Sequence, residues 1–328
     1  MIKPSHNPEL PFIKDNYKGN LLTEEDRYTN LFGDDLKSLS AVLKWQLGKK
    51  PLTKLKENQI SPLQQSRIEN IHLKNTNAII PLGHAGFIID MNEIRIIIDP
   101  LIVPNILLKR YTEIPLDPQD LKNVNYLLLS HNHRDHIDKA SVIKICRNNP
   151  NAVILTGLEI KNVLRKWKIT NPIQEAGWYQ KYNTLEEIQI SYLPTQHWSR
   201  RWIKDTNQSL WGSFIIIDKL QNKNIYFGGD SGYGIHYKEF GNMFDIDIAM
   251  LGIGAFEPKW FMNTFHTGPE DAIQAFKDLK AKKWIPMHYG TLDLSDEPVF
   301  YPEQVLREEF PHELPNINWM TIGERILI

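Results

Sequence analysis

Hydrophobic and polar positions are patterned differently in two stretches of this chain. Residues 1–75 are largely polar, with one run of helical periodicity in which Leu36, Leu39, Val42, Leu43 and Leu47 recur every three or four positions. That run predicts a helix from Asp34 or Asp35 to Leu47, capped by Asp34 and ended by Gly48 and Pro51. No separate core is evident, so 1–75 read as an N-terminal extension packed on the main domain, 76–328. From Thr76 onward, short apolar runs between turns predict strands at 78–82, 87–90, 95–99, 126–130, 152–156, 188–194, 213–218, 224–229, 248–253 and 284–288. Helices are predicted at 139–147, 158–167 and 269–281. The last begins Thr267-Gly268-Pro269-Glu270, the pattern of a capping box with proline near the helix start. Its apolar face is Ala272, Ile273, Ala275, Phe276 and Leu279. Antiparallel-looking strand runs come first, then strands alternating with helices, across two similar halves. The fold class is therefore α/β, with two sheets face to face and helices outside.

Composition narrows this little. Hydrophobic residues make up 41% and charged residues 23% of the 328, enough for a large globular core. A net charge of −1 gives no global basic field for nucleic acid or an anionic membrane. The single cysteine, Cys146, rules out an intrachain disulfide framework, and its apolar neighbours predict a buried thiol. The first residues lack the apolar segment of a signal peptide, and no run reaches the roughly 18 apolar residues of a membrane span. A cytoplasmic protein is expected.

Candidate chemistry concentrates in Ser130-His131-Asn132-His133-Arg134-Asp135-His136, directly after the apolar run Tyr126 to Leu129. Imidazole and carboxylate are ligand types that zinc accepts, and close pairs of such ligands build two-metal hydrolytic sites. In extended backbone His131 and His133 point to one side, while the adjacent Asp135 and His136 can diverge towards a second metal. Three more polar residues follow predicted strands: His197, Asp230 (beside Gly228 and Gly229) and His288. Taken singly, either histidine also fits a hydrogen-bonded structural role, and Asp230 a turn.

The order His131, His133, Asp135, His136, His197, Asp230, His288 resembles the metallo-β-lactamase superfamily. Further strings are similar to its N-acylphosphatidylethanolamine-hydrolysing phospholipase D-like branch and bacterial relatives. They include Gly83-His84-Ala85, Ile98-Asp99-Pro100, Gln196-His197-Trp198-Ser199-Arg200-Arg201, Gly229-Asp230-Ser231-Gly232-Tyr233 and His288-Tyr289-Gly290-Thr291. The similarity runs over roughly residues 40 to 310. It implies an αββα sandwich with two zinc ions at one edge. His131, His133 and His197 would hold one, Asp135, His136 and His288 the other, and Asp230 would bridge them. Water between the metals would lose a proton near neutral pH and attack. Asp135 could also orient that nucleophile, and His266 would face substrate. Asp99 would orient a ligand histidine. His84 could line the site edge, although a turn hydrogen bond is the favoured reading. Iron-containing relatives often carry a carboxylate at the position of His133, so zinc is expected, with manganese or iron loading open. Phe256 stands where relatives often have Tyr, and Lys259 where Arg is frequent, which leaves lipid specificity open.

The leading expectation is a zinc-dependent phosphodiesterase acting on a phospholipid or other amphipathic substrate. A polar, closed pocket would instead favour a lactone or carbonyl ester hydrolase. A nuclease fits the motif but not the charge, and nucleic acid is not an expected partner. A metal-stabilised structural or binding protein is the non-enzymatic alternative. Trp178, Trp198, Trp202, Trp211 and Trp260 could line an acyl groove or pack in the core. The 34–47 helix could contact a membrane surface or face the core. Oligomeric state is not encoded in any feature of the sequence.

Overall fold

The fold is described from a computed structural model over residues 4–328, apart from 32, 34, 35, 70, 72–76, 106 and 107. Helices α1 (Leu39–Leu47) and α2 (Thr53–Lys56) and strand β1 (Gln64–Gln65) come first. Strands β2 (Ala78–Gly83), β3 (Gly86–Met91), β4 (Ile94–Ile98) and β5 (Tyr126–Leu129) lead into α3 (Lys139–Asn148), β6 (Val153–Gly157), α4 (Ile160–Lys166) and β7 (Ile173–Ala176). The second half comprises β8 (Gln180–Lys181), β9 (Ile188–Leu193), β10 (Ser213–Asp218), β11 (Lys223–Phe227), α5 (His236–Met243), β12 (Ile248–Gly252), α6 (Lys259–Met262), α7 (Pro269–Leu279), β13 (Lys283–Met287) and α8 (Tyr301–Glu309). The short strands β14 (Thr321–Ile322) and β15 (Ile326–Leu327) come last.

Each half repeats one plan. Strands β2, β3 and β4 pair antiparallel, then β4 to β7 pair parallel. Likewise β8 to β11 pair antiparallel, then β11 to β13 pair parallel. With β15 added beside β2, the result is a seven-stranded and a six-stranded sheet. Both faces of the first sheet are buried, so its strands are nearly continuous in apolar residues. Along β4, Ile96 and Ile98 join the core between the sheets. The intervening Ile97 joins an outer cluster with Val142 and Ile145 of α3 and Ile160 and Leu164 of α4. Across the sheet interface the rings of Phe87 and Phe227 meet edge-on at 6.3 Å. Phe240 of α5 and Ala275 and Leu279 of α7 cover the second sheet. This is the αββα arrangement of four layers.

The direction of the strands positions the site. In the first sheet β2, β4 and β5 run the same way, and in the second β9, β11 and β13 do. Their carboxyl ends therefore emerge together, the usual place for ligands in such sheets.

Helix ends differ from expectation. Helix α1 starts at Leu39, with Ser38 accepting from the Ala41 amide; Asp34 and Asp35 lie outside the described residues, as does the 75/76 boundary. Thr267 does not cap α7, because its hydroxyl donates to the Gly252 carbonyl and Gly268 takes the cap position. Proline does stand at the start of α7, where its missing N–H costs nothing. The N-terminal stretch lies along the second half through backbone pairs such as Ile13 N to Tyr179 O, 2.8 Å, and Lys181 N to Pro11 O, 2.9 Å.

Candidate metal centre

Six loops at the common strand edge bring the polar side chains together. The one richest in candidate ligands, residues 130–138, leaves β5, turns at 134–136 and enters α3, where Asp138 accepts from the Ser141 amide. Buried Arg201 ties this loop down by donating to the carbonyls of Asn132 and Ile137. Asp230 follows β11 through Gly228 and Gly229. Gly229 has φ +56, and a Cβ there would lie 2.7 Å from the Gly212 carbonyl, so this turn requires glycine. His84, Asp99 and His288 also have left-handed backbones, with φ of 57, 39 and 60. Such conformations are uncommon away from glycine and cluster at functional sites.

The seven side chains form one buried cluster with two lobes. In the first, His133 Nδ1 lies 2.9 Å from His131 Nε2 and 3.1 Å from His197 Nε2. Asp230 Oδ2 is 3.7 Å from both of those Nε2 atoms. In the second, Asp135 Oδ2 is 3.6 Å from Nε2 of both His136 and His288. Asp230 reaches this lobe too, with Oδ2 3.1 Å from His136 Nε2 and Oδ1 3.2 Å from His288 Nε2. A zinc ion about 2.0–2.1 Å from each of four tetrahedral ligands keeps them about 3.3 Å apart, and the distances in each lobe bracket that edge. Nε2 of His136 and of His288 and Oδ2 of Asp230 are buried without a hydrogen-bond partner. Buried polar atoms are normally paired, and three aimed at shared points have the donor chemistry that a cation takes. The residues present fit a pair of metals.

Outer contacts fix the tautomers. Ser130 Oγ donates to Asp99 Oδ2, so it can only accept from His131 Nδ1 at 2.9 Å, which leaves His131 Nε2 with its lone pair. Asp99 Oδ2 also accepts from His136 Nδ1 at 2.8 Å, and the Phe265 carbonyl from His197 Nδ1 at 3.0 Å. These are the partners that ligand histidines require.

Charge in the cluster is incomplete. Burial lowers His131 and His197 well below their ordinary value and His133 to about 4. Burial opposes charge on His136 and His288 as well, but Asp230 and Asp135 overcome it, raising His136 well above its usual value and His288 to about 9. The same histidines hold Asp135 and Asp230 well below the carboxylate range despite burial. Two carboxylates thus draw protons onto two rings, and divalent cations would bring the same charge.

His266 Nδ1 stands 3.9 Å from Asp230 Oδ2 at the cluster's open side, and burial lowers its ring to about 4. A cavity of about 540 Å³ opens there, with His133, Asp135, Asp230, His266 and His288 as its floor. Leu36, Val42, Trp45, Phe261, Met262, Phe265 and Trp198 give it apolar walls, and Lys37, Arg134 and Arg200 add cations. Trp178 and Trp211 are core residues, whereas Trp202 and Trp260 are exposed. Phe256 is buried, stacks on Tyr301 at 6.2 Å and is not part of the cavity wall, and Lys259 is exposed. The expectation for His84 was incomplete. Its amide does bond a turn partner, Thr291 Oγ1, but its Nε2 also reaches Asp135 Oδ2 at 3.1 Å.

Comparison with known proteins agrees with this geometry. Residues 94–289 match the model of the β-lactamase superfamily domain. N-acyl-phosphatidylethanolamine-hydrolyzing phospholipase D 1 of Caenorhabditis elegans is 27% identical over 279 residues, 80% of this chain and 78% of that protein. A UPF0173 metal-dependent hydrolase of Desulforamulus reducens is 30% identical over 230 residues, 68% of this chain and 90% of its own length. The solved structure of Igni18, a metallo hydrolase from Ignicoccus hospitalis, superposes with a TM-score of 0.60 at 22% identity, over 77% of this chain and 99% of that one.

Proposed function

The chain belongs to the metallo-β-lactamase superfamily of metal-dependent hydrolases, and on that premise we propose that it is a zinc-dependent phosphodiesterase of phospholipase D type, acting on a phospholipid or other amphipathic phosphodiester. His131, His133 and His197 would hold one zinc, Asp135, His136 and His288 the second, and Asp230 both. The pair would neutralise charge on a phosphoryl oxygen and lower the pKa of water. Asp135, at the floor of the cavity, would orient the attacking water. His266, on the cavity side of the cluster, would bind the phosphate or assist the leaving group.

The observation that carries the substrate reading is the cavity itself, a floor of imidazoles and carboxylates suited to metal ions beneath a largely apolar wall with three cations. A phosphodiester with an acyl chain matches each part, and a small polar lactone leaves the apolar wall without a role. The relative from C. elegans named for hydrolysing N-acyl-phosphatidylethanolamine supports the same choice. A parallel assay on bis-aryl phosphodiesters, N-acylated phospholipids and lactones tests it, with Asp135→Asn as control. Phosphodiester hydrolysis that Asp135→Asn abolishes is expected. Turnover of lactones alone would overturn it.

Peripheral membrane contact belongs to the same proposal. No helix of the described residues is long and apolar enough to cross a membrane. Leu43 and Leu47 on α1 are exposed, as are Trp202 and Ile203 on a loop whose Trp202 ring meets Arg134 of the cavity at 4.9 Å. Residues 36–56 carry six lysines and no acid. Lys50 and Lys56 pair with Asp296 and Asp293, while Lys44, Lys49 and Lys54 are exposed. Apolar tips flanked by cations suit an anionic lipid surface.

A further inference from the structure

The ligand side chains are not held equally. His131, His136 and His197 each have a hydrogen-bonded outer partner that fixes the ring. His133 rests edge-on against Trp198 at 4.7 Å. Asp135 and His288 differ, since His288 Nδ1 has no partner among the described residues, and both lean on His84. The His84 Nε2–H faces Asp135 Oδ2 at 3.1 Å, its ring packs on that of His288 at 4.1 Å, and its carbonyl accepts from the His288 amide at 3.1 Å. His84 is itself held rigidly, in the left-handed region with its amide bonded to Thr291 Oγ1.

We propose that His84 is a positioning residue that sets the affinity of the metal position formed by Asp135, His136 and His288, leaving the position of His131, His133 and His197 untouched. The inference rests on the dinuclear reading above. A carboxylate oxygen has two lone pairs, so Asp135 Oδ2 can accept from His84 and still face the metal. Without that donor the carboxylate is free to rotate about its last torsion. Outer partners of this kind typically set metal affinity by about 10–100-fold.

Two variants separate donor from bulk. H84F keeps an aromatic ring beside His288 and removes the donor; H84Q keeps an N–H donor and removes the ring. Zinc is titrated into the metal-stripped full chain against a competing chelator, with circular dichroism as the check on folding. For H84F we expect one of the two sites to lose about 10–100-fold in affinity while the other keeps its wild-type value. H84Q should recover most of that loss. Wild-type affinity at both sites in H84F overturns the proposal, as does equal weakening of both sites or an H84Q no better than H84F. If H84F does not fold, H84Q alone decides, because either site falling more than about tenfold below wild type contradicts the donor role. A wild-type chain that takes up fewer than two zinc ions sinks the dinuclear reading, a result distinct from all of these.

Discussion

Two buried polar clusters in this molecule have opposite characters. Between β3 and β4, Arg95 donates to both oxygens of Asp90 at 2.7 Å, with neither side chain exposed. A further Arg95 nitrogen bonds the Lys122 carbonyl, and its amide bonds Asn125. Charge and hydrogen bonding close within that set. At the strand edge, the cluster around Asp230 holds buried atoms with no partner and carboxylates that pull protons onto nearby rings. A closed set is architecture; an open set aimed at shared points is a binding site. The difference identifies the site without reference to any motif.

The comparison can be broken at either end. Arg95→Met strands a buried carboxylate and should cost about 3–5 kcal/mol of stability, measured by denaturant titration, while metal content per folded chain stays at the wild-type level. Pairing it with Asp90→Leu should recover most of that loss. At the other end, Asp230→Ala should remove bound metal and lower kcat/KM together by more than about 100-fold, exceeding the usual effect of an outer partner. An Asp230→Ala enzyme with full activity would refute the bridging role.

His236 stands between these extremes, a buried histidine whose Nε2 lies 3.2 Å from Ser231 Oγ, and burial lowers its ring to about 3. Its unfolded form takes a proton near pH 6.5 and its folded form resists down to about 3, so the unfolded chain binds more protons between those values. Stability therefore falls as pH drops through that window, by about 2 kcal/mol from this group at pH 5. In the presence of chelator, His236→Phe should lose that part of the acid sensitivity between pH 7 and pH 5. The smallest effect is expected at the rim. Ile203→Ser should weaken sedimentation with anionic vesicles by about fivefold and leave hydrolysis of a soluble bis-aryl phosphodiester unchanged.

The long apolar strands and the helices with marked ends were legible in the sequence, and the shortest elements were not. Strand β10 matches its predicted bounds because both its faces are apolar and its ends are marked. Strand β8 has two residues, too few for any period, and α5 and α8 are short helices of eight and nine residues that bury only about one face of mixed polar and apolar side chains. Residues 4–31 show no pattern because they are fixed by backbone pairs such as Ile13 to Tyr179 and by Asn30 bonding both backbone groups of His197. The Thr267 cap failed because a tertiary acceptor, the Gly252 carbonyl, won its hydroxyl. The loop of His131 to His136 announces itself by spacing. His84 stands alone in a turn, and only the strand directions carry it to Asp135.

The central claim is that the open cluster takes up two divalent ions. Metal analysis of the full chain purified in zinc, by inductively coupled plasma mass spectrometry, tests it most directly. The account predicts about two zinc ions per chain, lost together in Asp230→Ala. A wild-type chain with all seven ligand side chains intact and no bound metal would contradict it.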